Sequence, residues 1–206
     1  MLTHIFLFGH RQQHGKDTSC NILERLFKEK NLSYCRTYFA KLLKKQVSEK
    51  YNLDFSKMES NDYKLSKPEH LNGLTVRDVL IKEGCGGRAI WEDVWANSVY
   101  QEIFNANPFV GIVSDYRYPN EYACFERSFK YWLSKQEVAP PRAPKVIRIL
   151  VHRPDGIFKN DGADSELPDL EKPEVWDYII INESHQGWEK RLEDQLVSIM
   201  QMEKIL

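Results

Sequence analysis

No stretch of this 206-residue sequence is apolar over the roughly 18 positions that a membrane-spanning helix needs. The N-terminus also lacks a charged region followed by a long apolar segment and a small-residue cleavage site. Neither a membrane span nor a secretory leader is expected, and a cytoplasmic protein is. Cysteine is scarce: Cys20, Cys35, Cys85 and Cys124 stand apart without CxxC spacing, which argues against a zinc site or a disulfide framework and for reduced, mostly buried thiols. An excess of one charge is missing too. With 29 basic against 30 acidic residues the net charge is -1, so a general nucleic-acid binder is not indicated. Internal repeats are absent, and the only biased tract is the proline-bearing "KQEVAPPRAPK" at 135 to 145.

What is present suits one domain over 1–206 with an inserted lid. Hydrophobic residues make up 42% of the chain and aromatics 12%, enough for a single core. Four runs, "HIFLFG" at 4 to 9, "FVGIVSD" at 109 to 115, "KVIRILVHR" at 145 to 153 and "WDYIIIN" at 176 to 182, are nearly continuously apolar, as strands buried on both faces are. A weaker fifth is "SYCRTYFA" at 33 to 40. Helical periodicity fills the intervals at 16 to 30, 40 to 51, 74 to 84, 88 to 105, 119 to 134 and 186 to 204. Strands alternating with helices predict an α/β fold, a parallel five-stranded sheet with helices on both faces. The segment 153 to 175, rich in Gly, Pro and Asp, is too long for a plain connection and reads as a lid.

Two stretches carry chemistry. In "FLFGHRQQHGKDT" a glycine ends an apolar strand and Gly15-Lys16 opens a helix, which is what a phosphate-binding loop requires: converging amides, a helix N-terminus and a lysine. Gly9 and Gly15 enclose five residues rather than four, and Asp17 stands where Ser or Thr would bind Mg²⁺, with Thr18 next. A carboxylate can meet that ion directly or through water. His10 and His14 flank the loop and either line the nucleotide site or are solvated. In "VGIVSDYRYPNE" Asp115 ends a buried strand, where ligands gather in open α/β sheets, and Arg117 follows with a fork suited to phosphate. A structural Asp115–Arg117 ion pair is the plainer alternative. Pro119, Asn120 and Glu121 suit the start of a helix.

Together with "TYFAKLLKK", "TVRDVLIKEGCGGRAIWEDVWANSV", "VIRILVHRP", "DSE" and "YIIINES", these stretches resemble the deoxynucleoside monophosphate kinase family of bacteriophages, P-loop kinases of adenylate-kinase-like fold. The resemblance runs over nearly the whole chain. It implies transfer of the γ-phosphoryl group of ATP, with Mg²⁺, to a deoxynucleoside monophosphate. It places Gly9, His14, Gly15, Lys16, Asp17, Thr18 and Asn182 at ATP, and Asp17, Thr18 and Asp115 at the metal. Arg88, Trp91 and Arg117 fall to the acceptor, whose region spans about 40 to 105. Lys16, Asp115, Arg117, Arg88 and Arg153 become the catalytic set. The lid-like segment, about 153 to 175, is poor in arginine, which leaves Arg88, Arg117 and Arg153 to neutralise the transferring group.

Two alternatives stay open. Related phage kinases phosphorylate the hydroxymethyl group of 5-hydroxymethyluracil within DNA; such a hydroxyl acceptor needs a base, for which Asp115 is placed, and DNA would then be a partner. "AKLLKKQVSEK" at 40 to 50 offers a local basic stretch for it, or else the solvated face of an amphipathic helix. The other alternative is an ATP-binding module that transfers to no small acceptor; a GTPase is disfavoured because the Asn-Lys-x-Asp pattern is missing. Base selectivity and oligomeric state, a homodimer included, stay open.

Overall fold

The computed structural model describes residues 2–9, 11, 13–135, 143–154, 172–183 and 186–206. His10, most of the proline-bearing connection at 135 to 145 and most of the lid-like segment at 153 to 175 lie outside the described residues. The element order is β1 (His4–Gly9), α1 (Lys16–Glu29), β2 (Tyr34–Thr37), α2 (Ala40–Lys50), α3 (Asn61–Leu65), α4 (Val76–Ile90), α5 (Val94–Ala106), β3 (Val110–Tyr116), α6 (Pro119–Ser134), β4 (Lys145–His152), β5 (Tyr178–Ile181) and α7 (Trp188–Met202).

All five strands are parallel, in the order β2-β3-β1-β4-β5. β1 is central because both its faces are apolar. Phe6 and Phe8 pack with α1 and α7 through Leu23, Phe27, Leu192 and Leu196, while Ile5 and Leu7 pack with α5 and α6 through Val99, Ile103 and Phe125. A strand buried on both sides must read as a continuous apolar run, as it does here. The chain winds to one side of β1 through β2 and β3 and to the other through β4 and β5. The strands' C-terminal ends around β1 are therefore the expected binding crevice.

The residues between β2 and α5 form a helical insert with its own small core of Val47, Leu53, Met58, Leu71, Val76 and Val79. One boundary differs from the sequence reading, which breaks the helix at Gly84 to Gly87. Instead α4 runs on to Ile90, and α5 starts only at Val94. Tertiary packing decides this: the Trp95 indole donates to the Gly84 carbonyl at 3.0 Å, and a Cβ on Gly87 would stand 2.5 Å from Trp95 Cζ2. The glycines let the two helices close on the buried indole.

We therefore predict that Gly87→Ala lowers stability by about 1–2 kcal/mol, overpacking outweighing the better helix propensity of alanine. Urea unfolding measures it; a variant more stable than the parent would show that the indole moves aside freely.

Candidate functional site: the loop after the first strand

Gly15 caps α1 with φ 102°, in the left-handed region, and among the described residues no side-chain cap hydrogen bond is made there. The start of α1 borders a cleft of about 280 Å³ lined by Gln13, Gly15, Lys16, Asp17, Thr18, Arg153, Asn182 and Trp188. Gln13 also adopts a left-handed φ, 59°, which disfavours a side chain and requires the surroundings to hold it. Arg153 does so, its guanidinium donating to the Gln13 carbonyl at 3.4 Å and its backbone N–H to His14 Nδ1 at 3.1 Å. Lys16 is 8% exposed and its ammonium donates to the Arg11 carbonyl across the loop.

His14 is 5% exposed, and its ring stands 5.9 Å from that of His152. Burial, with the nearby charges of Lys16, His152 and Arg11, pushes its pKa down to about 4. The ring is thus neutral near pH 7, with Nδ1 the acceptor. Asn182, just past β5, is 2% exposed and donates through Nδ2 to the His14 carbonyl at 2.8 Å, while its Oδ1 is buried with no hydrogen-bond partner among the described residues. A Cβ on Gly15 would come within 2.3 Å of Asn182 Nδ2, so glycine is required there by contact as well as by φ. An orphaned buried acceptor on the wall of a cleft is costly unless a donor meets it.

Five of the residues expected at nucleotide or metal, Gly15, Lys16, Asp17, Thr18 and Asn182, line this one cleft, together with Arg153 of the expected catalytic set. Asp17 also pairs with Arg36 of β2 at 3.2 Å, an arginine shared with Glu24 at 2.8 Å. Gly9 has another task. A Cβ there would lie 2.3 Å from Trp176 Cη2, so Gly9 lets that indole cross the end of β1. Sequence reading missed Gln13 and Trp188, the latter signalled only by a lone aromatic at the start of the last helix.

The acceptor-side residues gather elsewhere. Asp115 accepts from the backbone N–H groups of Phe39 at 2.6 Å and Ala40 at 3.2 Å, anchoring the start of α2. Burial raises its pKa, against those two amides and Arg117. Asp115 thus anchors the helix start through one amide per oxygen, at the strand end where the sequence suggested metal binding or base catalysis. Glu121 accepts from the Arg117 and Tyr118 amides at 2.8 and 3.0 Å and, buried beside Asp115, has its pKa pushed up to about 8. It fixes the turn that presents Arg117, in keeping with its expected place at a helix start. Arg88 stacks over Tyr118 in that turn, 4.4 Å from the ring centre, and reaches the phenol at 3.4 Å. Trp91, at the end of α4, is half exposed.

No group of three or more His, Cys, Asp or Glu side chains suited to a metal ion occurs among the described residues. Mg²⁺ needs no such cage, since it keeps waters and shares phosphate oxygens with one or two protein ligands; Asp17 and Thr18 at the cleft fit that donor set. No described helix is long and apolar enough to cross a membrane. Compared with known proteins, the chain matches no family profile and no curated protein.

A neutral buried His14 has a consequence for stability. The unfolded chain takes up a proton near pH 6.5, which the folded protein accepts only near pH 4, so stability falls as pH drops through that window, by at most about 3–4 kcal/mol. His14→Gln, which keeps an acceptor for the Arg153 amide, should flatten this part of a denaturation–pH profile; an unchanged profile would assign the slope to other groups.

Proposed function

We propose that the protein is a P-loop kinase that transfers the γ-phosphoryl group of ATP to a deoxynucleoside monophosphate, giving the diphosphate. One observation carries the reading. At the C-terminal end of the central strand, the start of α1 with Gly15 and Lys16 lines one cleft with Asp17, Thr18, Arg153 and Asn182, whose buried Oδ1 has no hydrogen-bond partner among the described residues. A helix N-terminus with a lysine is built for phosphate, and the orphaned amide oxygen calls for a hydrogen-bond donor such as an exocyclic amine.

On this reading Lys16 and the α1 amides hold the donor phosphates. Asp17 and Thr18 hold Mg²⁺, which supplies charge neutralisation between the phosphates. Arg153 spans the loop and the cleft, and Trp188 offers a face for the base. Asn182 borders the adenine. Arg117 and Arg88, fixed by Glu121 and Tyr118, serve the acceptor. Transfer between two phosphates requires little beyond cations that bring two anions together, because the acceptor is already ionised near neutrality.

Two observations weigh against a DNA-borne hydroxyl as acceptor. Asp115, the candidate base, has both oxygens engaged by α2 amides. The basic stretch of α2 is also largely paired: Lys41 with Glu102, Lys44 with Glu59 at 2.7 Å and Lys50 with Glu83 at 2.7 Å. Such lysines offer DNA little charge, and phosphate contacts supply most of the affinity for a duplex.

The test is ATP consumption with Mg²⁺ and each deoxynucleoside monophosphate, 5-hydroxymethyl-dUMP included, beside duplex DNA containing 5-hydroxymethyluracil. We expect turnover with free monophosphates. Turnover with the modified duplex alone would move the activity to DNA, and ADP formation indifferent to any acceptor would leave only an ATP-hydrolysing module. Lys16→Ala should cost at least about 10²-fold in rate, with the thermal transition retained.

A further inference from the structure

Asp17 is the one carboxylate among the described residues that line the cleft, and it is held from outside the loop. Its Oδ1 accepts from Arg36 Nη2 at 3.2 Å, and Arg36 lies on β2, 19 positions further along the chain. The other arm of the same fork, Nη1, donates to Glu24 Oε2 at 2.8 Å and to Asn21 Oδ1. Asp17, Asn21 and Glu24 stand at i, i+4 and i+7 in α1, so they share one face of that helix, and the Arg36 guanidinium spans it.

The two acids on this arginine are unequal. The Glu24 side chain is 23% exposed, close to the 25% of Arg36, whereas that of Asp17 is 79% exposed. The shorter and more buried pair is the stronger hold, and the exposed contact the weaker. Glu24 alone neutralises the guanidinium, so Arg36 can release Asp17 without being left uncompensated. A divalent cation that reaches Asp17 is repelled by a guanidinium resting on the same carboxylate, which gives the release a cause.

We propose that Arg36 competes with the divalent cation for Asp17, and that Glu24 sets the balance by drawing the guanidinium away when the cation arrives with nucleotide phosphates. The proposal rests on the kinase reading for the presence of nucleotide and metal in the cleft. Arg36 is then a positioning residue: it acts through the Asp17 carboxylate and touches no substrate. It keeps Asp17 occupied until a nucleotide supplies the further oxygen ligands that Mg²⁺ requires.

The experiment uses Mn²⁺ in place of Mg²⁺, titrated into the protein with equimolar ADP and read as free ion by electron paramagnetic resonance, so that no phosphoryl transfer is required. Asp17→Asn should weaken Mn²⁺ binding by at least about fivefold, which identifies the carboxylate as a ligand. Arg36→Gln should tighten it by about twofold to fivefold, the strength of an exposed ion pair, and Glu24→Gln should weaken it by a similar factor, because the guanidinium then rests on Asp17 alone. ADP binding in EDTA should change by less than about twofold in both. Arg36→Lys is the safeguard if Arg36→Gln does not fold; it too should bind Mn²⁺ more tightly than the parent, since one ammonium cannot serve Glu24 and Asp17 together as the fork does.

Opposite signs in the arginine and glutamate variants are what a merely structural brace would not produce. Weaker Mn²⁺ binding in both, or no change in either, would make the cluster a brace for α1 and overturn the proposal. So would parent-like Mn²⁺ binding in Asp17→Asn, or a loss of metal-free ADP binding in Arg36→Gln, which would place Arg36 on the phosphates. Mn²⁺ binding that responds as expected in a protein without ATP-dependent transfer would retire the kinase reading and keep the Arg36 balance. Transfer in a protein whose Mn²⁺ binding ignores both Arg36 and Glu24 would do the reverse.

Discussion

The hydrogen bonds made by His14 are the constraint on which the cleft depends. Its ring accepts the Arg153 amide just past β4, and its carbonyl accepts the Asn182 amide group just past β5. One residue of the first loop is thereby tied to the ends of two other strands. That tie helps to hold the left-handed Gln13 and the close approach of Gly15 to Asn182. The tie requires a neutral ring, and burial among positive charges keeps it neutral.

Carboxylates do similar positioning work on the other side of the sheet. Asp115 holds the start of α2 and Glu121 holds the turn carrying Arg117, each through two backbone amides. An acid at the end of a parallel strand invites a catalytic reading, because ligands collect there. Here the more basic demand is met first: the unpaired amides at a helix start need acceptors.

The five strands and the two faces of helices were legible because strands buried on both faces read as continuous apolar runs, Ile5 to Phe8 being the clearest. The loop was legible because glycine, lysine and a helix start fall together. What could not be read depends on partners distant in sequence. Asp115 meets amides more than seventy positions away, Gly87 lies under Trp95, and Gly9 lies under Trp176. The α2 lysines read as a solvated basic face because their acids, Glu59, Glu83 and Glu102, come from three other segments. Periodicity reports which face of an element is apolar; it carries no information on which charges will meet.

That last point bears on how a chain of almost zero net charge can handle anions. Several of its lysines and arginines, Arg25, Lys41 and Lys190 among them, are paired on the surface, where each pair contributes little. Lys16 and Lys44 differ in being buried, one against a backbone carbonyl and one against a carboxylate. A buried ammonium sits where the dielectric is low, so an anion that reaches it interacts far more strongly than one meeting an exposed lysine. Under the proposed function, the Lys16 ammonium beside the first strand's loop would give the donor phosphates such a place without any excess of basic residues. Phosphate binding of the proposed kind requires placement of charge, which the average composition conceals.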